Sequence, residues 1–367
     1  MSSRRLLCIA GGGTGGHVMP ALTLAGKSRA LWQELDVEFI GAERGLEAIL
    51  LPERGESVLL LRMHSIAGAG LWQKIRVLGW ELPAAIYRIR NHWQSRRPDL
   101  VVAVGGYASV AAALAAILLG IPLVLHEQNA IAGMVNRQLG RFCRKIMLGF
   151  AEAARNLPEG KCHYTGNVVS EAISSIKRQP HEPPCLLVLG GSQGATFLNS
   201  EVPVACQLLA KQGYAFTVFH IAGNRPGMVE SVRANYREAN IKAEVMGFHD
   251  NISAFYARGD LLIARSGAMT VCEAAAAGLP AIFIPLPGAA DDHQLLNAMA
   301  LATAGGAVIV EQGRADTVNL ANTIRDHLTC RNILDRMSRC ATNWAPTHAW
   351  EQQSALLSQW LDAGAAA

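Results

Sequence analysis

Apolar runs of four or five residues, each closed by glycines or a polar cluster, alternate along this chain with longer segments of helical composition. Leu6 to Ala10 is such a run and predicts a buried parallel strand. Gly11-Gly12-Gly13-Thr14-Gly15-Gly16-His17 follows it, a helix is expected from Pro20 to Leu35, and Val37 to Ile40 is the next strand. Leu100 to Val104 ends in Gly105-Gly106-Tyr107-Ala108-Ser109, and Ile121 to Leu125 ends in His126-Glu127-Gln128-Asn129. Leu100 to Leu125 carries no charge and is long enough to cross a bilayer, but Gly105-Gly106, Gly120 and Pro122 divide it into strand, loop, helix and strand.

After a mixed stretch from Gly166 to Pro184 the pattern restarts. Cys185 to Leu189 precedes Gly190-Gly191-Ser192-Gln193-Gly194, and further strands are expected at Phe216–Ile221, around Val245, at Leu261–Ala264 and at Ala281–Ile284. Between the last two, Ala268 to Ala277 reads as a helix stopped by Gly278 and Pro280. Asn343 to Leu361 predicts a terminal helix. The chain is therefore expected to be α/β, with two Rossmann-like, doubly wound parallel-sheet domains at 1–165 and 166–342 and a closing helix in 343–367.

Ligands of open α/β sheets bind at the carboxyl ends of the strands. The turns at 11–17, 105–109 and 126–129 all lie at such ends. Gly11, Gly13 and Gly16 satisfy G-x-G-x-x-G, yet the acid that a dinucleotide site wants near the end of the second strand is replaced by Gly41. Gly26-Lys27-Ser28 resembles a P-loop ending, but Ala21 stands where its first glycine belongs. In the second half, Arg265-Ser266-Gly267 hands a strand over to a helix, whose free N–H groups favour an anion. Glu273 lies five residues into that helix and can accept two hydrogen bonds from a ribose diol. Phosphate plus ribose means nucleotide.

With 367 residues, half of them hydrophobic, and a mean hydropathy of +0.19, there is material for two large cores. Eight cysteines without a C-x-x-C pair read as reduced thiols of a cytoplasmic protein. The apolar part of the N-terminus is too short for a signal peptide and runs directly into glycines. Residues 1–165 carry a net +7 and residues 166–367 a net −3, so an anionic partner is expected on the first half. No basic stripe interleaved with aromatics supports nucleic-acid binding. Leu71, Ile75 and Leu78 share a helical face near Trp72 and Trp80, with Lys74, Arg76, Arg88 and Arg90 interleaved or following. That segment is either an amphipathic helix packed on the core or a surface that sits on an anionic bilayer.

The motifs at 12–17, 105–109, 126–129, 190–195 and 265–273, taken in order along nearly the whole chain, resemble the MurG family of bacterial transferases. These move N-acetylglucosamine from UDP-GlcNAc to undecaprenyl-pyrophosphoryl-N-acetylmuramoyl-pentapeptide. The resemblance implies the GT-B architecture, two domains facing across a cleft with the last helix returning to the first, and peripheral attachment to the cytoplasmic face of the inner membrane. It implies no metal or other cofactor for nucleotide binding, and no D-x-D motif is found. The donor site would include Thr14, Gly15, Gly16, Asn129, Ser192, His249, Arg265, the backbone of Ala268, Met269, Thr270, Val271 and Cys272, then Glu273 and Gln294. Where the family usually has G-N-P-V-R, this chain has Gly166-Asn167-Val168-Val169-Ser170, so a hydroxyl at Ser170 replaces a charged fork.

The reaction implied is direct displacement at the anomeric carbon by the muramoyl 4-hydroxyl. His17 is the expected base, since a helix N-terminus keeps an imidazole neutral; a structural hydrogen-bonding role is the alternative. His126 and Glu127 are further candidates for the base, or order the cleft. Tyr107, Gly105 and Gly106 would receive the acceptor pyrophosphate. Arg141, Arg144 and Lys145 would do likewise or form a solvated face. Other readings remain: an epimerase or soluble-acceptor glycosyltransferase on the same scaffold, a nucleotide-sugar sensor without activity, and a dehydrogenase.

Overall fold

In the computed structural model the residues described are 4–13, 15–64, 70–190, 195–313 and 316–362. The chain divides into two compact units, Met1–Val168 with His348–Ala367, and Val169–Thr347. The first holds a seven-stranded sheet of β1 (Arg5–Gly11), β2 (Leu35–Ala42), β3 (Val58–Leu61), β4 (Leu100–Gly105), β5 (Leu123–Glu127), β6 (Lys145–Leu148) and β7 (Cys162–Tyr164), in the order 3-2-1-4-5-6-7. Every pairing is parallel. The order reverses between β1 and β4, which opens a crevice at their carboxyl ends.

Helices cover both faces of this sheet, so its central strands β1 and β4 are apolar along almost their whole length, while β2 alternates over Leu35–Phe39. On one face Ile89, Trp93, Ala108, Ala111 and Ala112 pack against Val101, Ala103 and Leu125. On the other, Ala21 and Leu24 of the helix Gly15–Leu31 meet Leu7, Ile9 and Val102, together with Leu357 and Leu361 of the last helix. Burying two such leucines stabilises the docked helix by roughly 1.5–3 kcal/mol each. Trp32 adds an edge-on contact to Trp350 at 6.2 Å and donates its indole N–H to Asp362 at 2.7 Å.

The second unit has β8 (Cys185–Leu189), β9 (Thr217–Ile221), β10 (Ala243–Met246), β11 (Leu261–Ala264), β12 (Ala281–Phe283) and β13 (Ala307–Ile309), parallel in the order 10-9-8-11-12-13. Its switch point lies between β8 and β11. The chain is thus two Rossmann-like parallel-sheet domains.

Three expectations change. The first helix begins at Gly15, not Pro20, because the glycine turn closes by Gly13 and Pro20 is carried inside the helix. The terminal helix begins at Ala349, not Asn343. Asn343 instead ends a helix Arg331–Trp344, and Ala345, held extended by Pro346, separates the two. The segment 71–95 is not packed on the core through Leu71, Ile75 and Leu78. It runs as Leu71–Arg76, a π-helical turn Val77–Glu81, then Leu82–Ser95. Leu71 is 72 % exposed, Trp72 84 % and Trp80 77 %, with Ile75 and Leu78 also exposed. The extra residue of the π-turn rotates the following helix, so Ala85, Ile89 and Trp93 carry the buried face instead. Among the described residues no helix is long and apolar enough to cross a membrane.

Candidate active site

In the first unit the crevice is built from two glycine turns. Gly13 at φ +91°, Gly105 at φ +104° and Gly106 at φ +82° occupy backbone conformations that favour glycine. Gly12 donates its N–H to the Gly105 carbonyl at 3.2 Å. A methyl group at Gly106 would strike the Gly12 carbonyl oxygen, and one at Gly105 would lie 2.7 Å from Nε2 of His17. Both turns can therefore approach only as glycines, and the His17 ring rests on the second.

His17 stands in the first turn of the helix Gly15–Leu31, with Nδ1 3.2 Å from the Gly12 carbonyl oxygen. A carbonyl only accepts, so Nδ1 carries the proton and Nε2 offers its lone pair. His126, buried at the end of β5, is pushed down to about 4 by burial and by the neighbouring His17, and is neutral at physiological pH. Its Nδ1 meets Gln128 Nε2 at 3.3 Å, and its Nε2 has no hydrogen-bond partner among the described residues.

Glu127 accepts from Asn129 N–H (3.0 Å), Asn129 Nδ2 (3.2 Å), Gly133 N–H (2.9 Å) and Asn136 Nδ2 (2.8 Å). Four donors, from the loop 129–133 and from Asn136 of the helix Met134–Leu139, fill a carboxylate's capacity, so Glu127 organises Asn129 and has no lone pair left for a substrate proton. Asn167 donates to the Gln128 carbonyl (2.9 Å) and Gln353 to the Gly166 carbonyl (2.9 Å), which ties the 166–168 segment to the first unit. Ser170, beyond it, is exposed at the start of a short helix. Tyr107 opens the helix after Gly106, and burial, then the charge of Glu47, raises its phenol pKa. Arg141 and Arg144 are exposed and Lys145 is partly exposed on β6. Thr14 and Ser192 lie outside the described residues.

Sequence reasoning missed Glu47. The residue is 1 % exposed; its carboxylate accepts the Gly13 N–H at 2.6 Å and the Ala42 N–H at 2.9 Å, and its side chain fills the space left by the absent side chains of Gly12, Gly41 and Gly45. The acid sought near the end of β2 is present after all, but it arrives from the helix Glu47–Glu53 and turns onto the main chain of the glycine turn. Gly41, where the acid was sought, is the signal in retrospect, since it vacates that space.

In the second unit, β11 leads through Arg265-Ser266-Gly267 into the helix Ala268–Ala276. Among the described residues no side chain caps that helix, and the first-turn N–H groups of Ala268, Met269 and Thr270 lack intrahelical partners. Val271 and Cys272 turn their side chains into the core. Asn297, fully buried, donates to the Ser266 carbonyl at 3.2 Å, and the buried Ser266 hydroxyl has no partner among the described residues.

Glu273, half-buried, receives the hydroxyl of the fully buried Tyr256 at 2.9 Å. Burial pushes its carboxyl up to about 7, against the pull of that hydrogen bond. Arg265 donates to the carbonyls of Ile284 (2.8 Å) and Pro285 (3.1 Å) and to Gln312 (2.7 Å), bracing the loop after β12. Gln294 accepts the Leu286 N–H at 2.9 Å, leaving its amide N–H groups for other partners. His249 packs edge-on against Phe219 at 5.6 Å and accepts the Asn251 N–H at 3.1 Å. Among the described residues no three His, Cys, Asp or Glu side chains converge as a metal site.

Two Rossmann-like units, each with a helix N-terminus at the switch point of its parallel sheet, define an α/β protein of the class that binds ligands at the carboxyl ends of its strands. The chain matches the glycosyltransferase family 28 N-terminal domain over residues 7–148 and the family 28 C-terminal domain over 185–352. It is 38 % identical to the UDP-N-acetylglucosamine--N-acetylmuramyl-(pentapeptide) pyrophosphoryl-undecaprenol N-acetylglucosamine transferase of Magnetococcus marinus, over 97 % of each chain. It is also 38 % identical to the protein of that name from Cupriavidus metallidurans, over 98 % of this chain and 99 % of the other. The crystal structure of Acinetobacter baumannii MurG superposes with a TM-score of 0.80 at 32 % identity, covering 97 % of this chain and 99 % of that one. The chain belongs to the MurG family of N-acetylglucosaminyltransferases.

Proposed function

We propose that the chain transfers N-acetylglucosamine from UDP-GlcNAc to the 4-hydroxyl of lipid-linked N-acetylmuramoyl-pentapeptide, a step of peptidoglycan synthesis on which cell shape and division depend. The observation that carries this reading is 38 % identity over 97 % of the chain to a transferase of that name. The muramoyl oxygen forms its bond to the anomeric carbon as the bond from that carbon to the diphosphate breaks. The electron pair leaves with UDP, the hydroxyl proton passes to Nε2 of His17, and the configuration inverts.

The nucleotide belongs to the second unit. The diphosphate takes the free N–H groups of Ala268, Met269 and Thr270, and Glu273 accepts the ribose hydroxyls, which supports departure of UDP through fixed dipoles. The sugar end takes Thr14, Gly15, Gly16 and Asn129, and Gln294 is a further donor-site residue of this reading. The acceptor pyrophosphate meets Tyr107, Gly105 and Gly106. Transfer of radiolabel from UDP-GlcNAc to a lipid-linked muramoyl acceptor tests the reading. Label appearing only in free GlcNAc or in an epimer would refute it.

The chain works at the cytoplasmic face of the inner membrane, as a peripheral protein. Exposed Leu71, Trp72, Ile75, Leu78 and Trp80 supply an apolar surface, and beside it a cavity of about 510 Å³ is lined by Trp80, Arg44, Arg62, Arg76 and His64 together with Glu43 and Glu81, which pair with Arg62 and Arg76. Aromatic side chains next to arginines suit an interface rich in anionic lipid. Co-sedimentation with vesicles containing phosphatidylglycerol is expected to fall in a W72S/W80S variant while UDP affinity stays unchanged.

A further inference from the structure

The peptide group between Gly12 and Gly13 is held from both sides. Its N–H, that of Gly13, donates to Glu47 at 2.6 Å, and its C=O, that of Gly12, accepts Nδ1–H of His17 at 3.2 Å. One rigid plane therefore joins a buried carboxylate to the imidazole. We propose that Glu47 is the positioning residue of the reaction: through this peptide it holds the ring of His17, its tautomer and the Gly105 turn beneath it.

Three features carry the inference. A buried carboxylate is retained at a cost unless its charge does something, and here its donors, Gly13 N–H and Ala42 N–H, are main-chain groups of the turn and of β2. Gly12, Gly41 and Gly45 make room for it: a methyl group on any of them would overlap the Glu47 side chain. Finally, hydrogen bonds in series polarise one another, so the carboxylate pushes electron density through the peptide onto the Gly12 carbonyl oxygen, which strengthens its bond to Nδ1–H and makes Nε2 a better acceptor. A carboxylate oriented on a histidine does this directly in hydrolytic triads; in this molecule a peptide stands between the two. The same arrangement occupies the Gly13 N–H that a dinucleotide phosphate would need.

The inference rests on His17 as the base, and a double-mutant cycle separates the two claims. In E47Q the amide keeps the size but faces one N–H with a donor. Its kcat should fall at least tenfold, with KM for UDP-GlcNAc and calorimetric UDP affinity within twofold of wild type. E47D, which keeps the charge, should recover part of that loss. In G41A a methyl group displaces the Glu47 side chain without altering its chemistry, and it should reproduce the E47Q defect. On an H17A background, E47Q should cost nothing further.

Circular dichroism and thermal unfolding select the folded variants, and E47D or G41A carries the test if E47Q does not fold. Folded variants with wild-type kcat, or an equal loss in the His17 and H17A backgrounds, would overturn the proposal. If H17A alone left turnover intact while E47Q lowered it, His17 as base would fall and Glu47 as anchor of the glycine turn would stand.

Discussion

The turn after β1 and the turn after β11 are the same device used in two ways. Each passes from a buried parallel strand through glycine into a helix at the switch point of its sheet. In the first unit a carboxylate is built in: Glu47 accepts a turn N–H and leaves little room for a second anion there. In the second, no side chain among the described residues caps the helix Ala268–Ala276, and the carboxylate, Glu273, stands further along that helix, where it receives the Tyr256 hydroxyl. On the proposed function, similar backbones separate two tasks by where each keeps its carboxylate: one would orient a base, the other would receive a diphosphate.

The separation breaks if a change in one unit is felt in the other. The largest expected effect is that of H17A, which should lower kcat by about 10²–10⁴-fold with UDP affinity unchanged by calorimetry. Next, E273Q should weaken UDP binding by roughly ten- to a hundredfold, the weight of one or two charge-assisted hydrogen bonds. It should leave vesicle binding intact.

A pH effect follows from the same carboxyl. With its pKa raised to about 7, Glu273 is mostly protonated at pH 6, and the form that accepts two ribose hydroxyls grows as pH rises. UDP affinity should therefore climb between pH 6 and 8 with release of a proton, and E273Q should flatten that rise. The sign for stability is opposite: the folded state holds this proton more tightly than the unfolded chain, so its contribution is present at low pH and is lost as pH rises through about 7. The smallest expected change comes from S170R, which restores a cationic fork at an exposed position and should tighten UDP-GlcNAc binding by a few-fold, read by calorimetry.

The alternation of apolar runs and glycine turns made the two sheets legible, because buried parallel strands must be apolar throughout and must end where the chain turns. The uncapped helix after Gly267 was legible for the same reason. Glu47 was not: its partner is main chain, and nothing in its spacing says that it reaches back under the turn. Tyr256, seventeen positions before Glu273, was hidden likewise, since only the fold of the second unit brings its hydroxyl to that carboxylate. The spacing of Leu71, Ile75 and Leu78 foretold a shared face but not its exposure, which the π-turn at Val77–Glu81 decides by rotating Ile89 and Trp93 inward. The bracing of the loop after β12 by Arg265 was likewise not legible, since its partners are main-chain carbonyls nineteen and twenty positions on.

Hydrogen exchange with UDP, lacking its sugar, tests the division of labour most directly. The account predicts slowed exchange in the amides from Gly267 to Glu273, with the rates of Gly11 to Gly13 and of His17 unchanged. Protection of the first glycine turn by UDP, with none at Gly267 to Glu273, would contradict it.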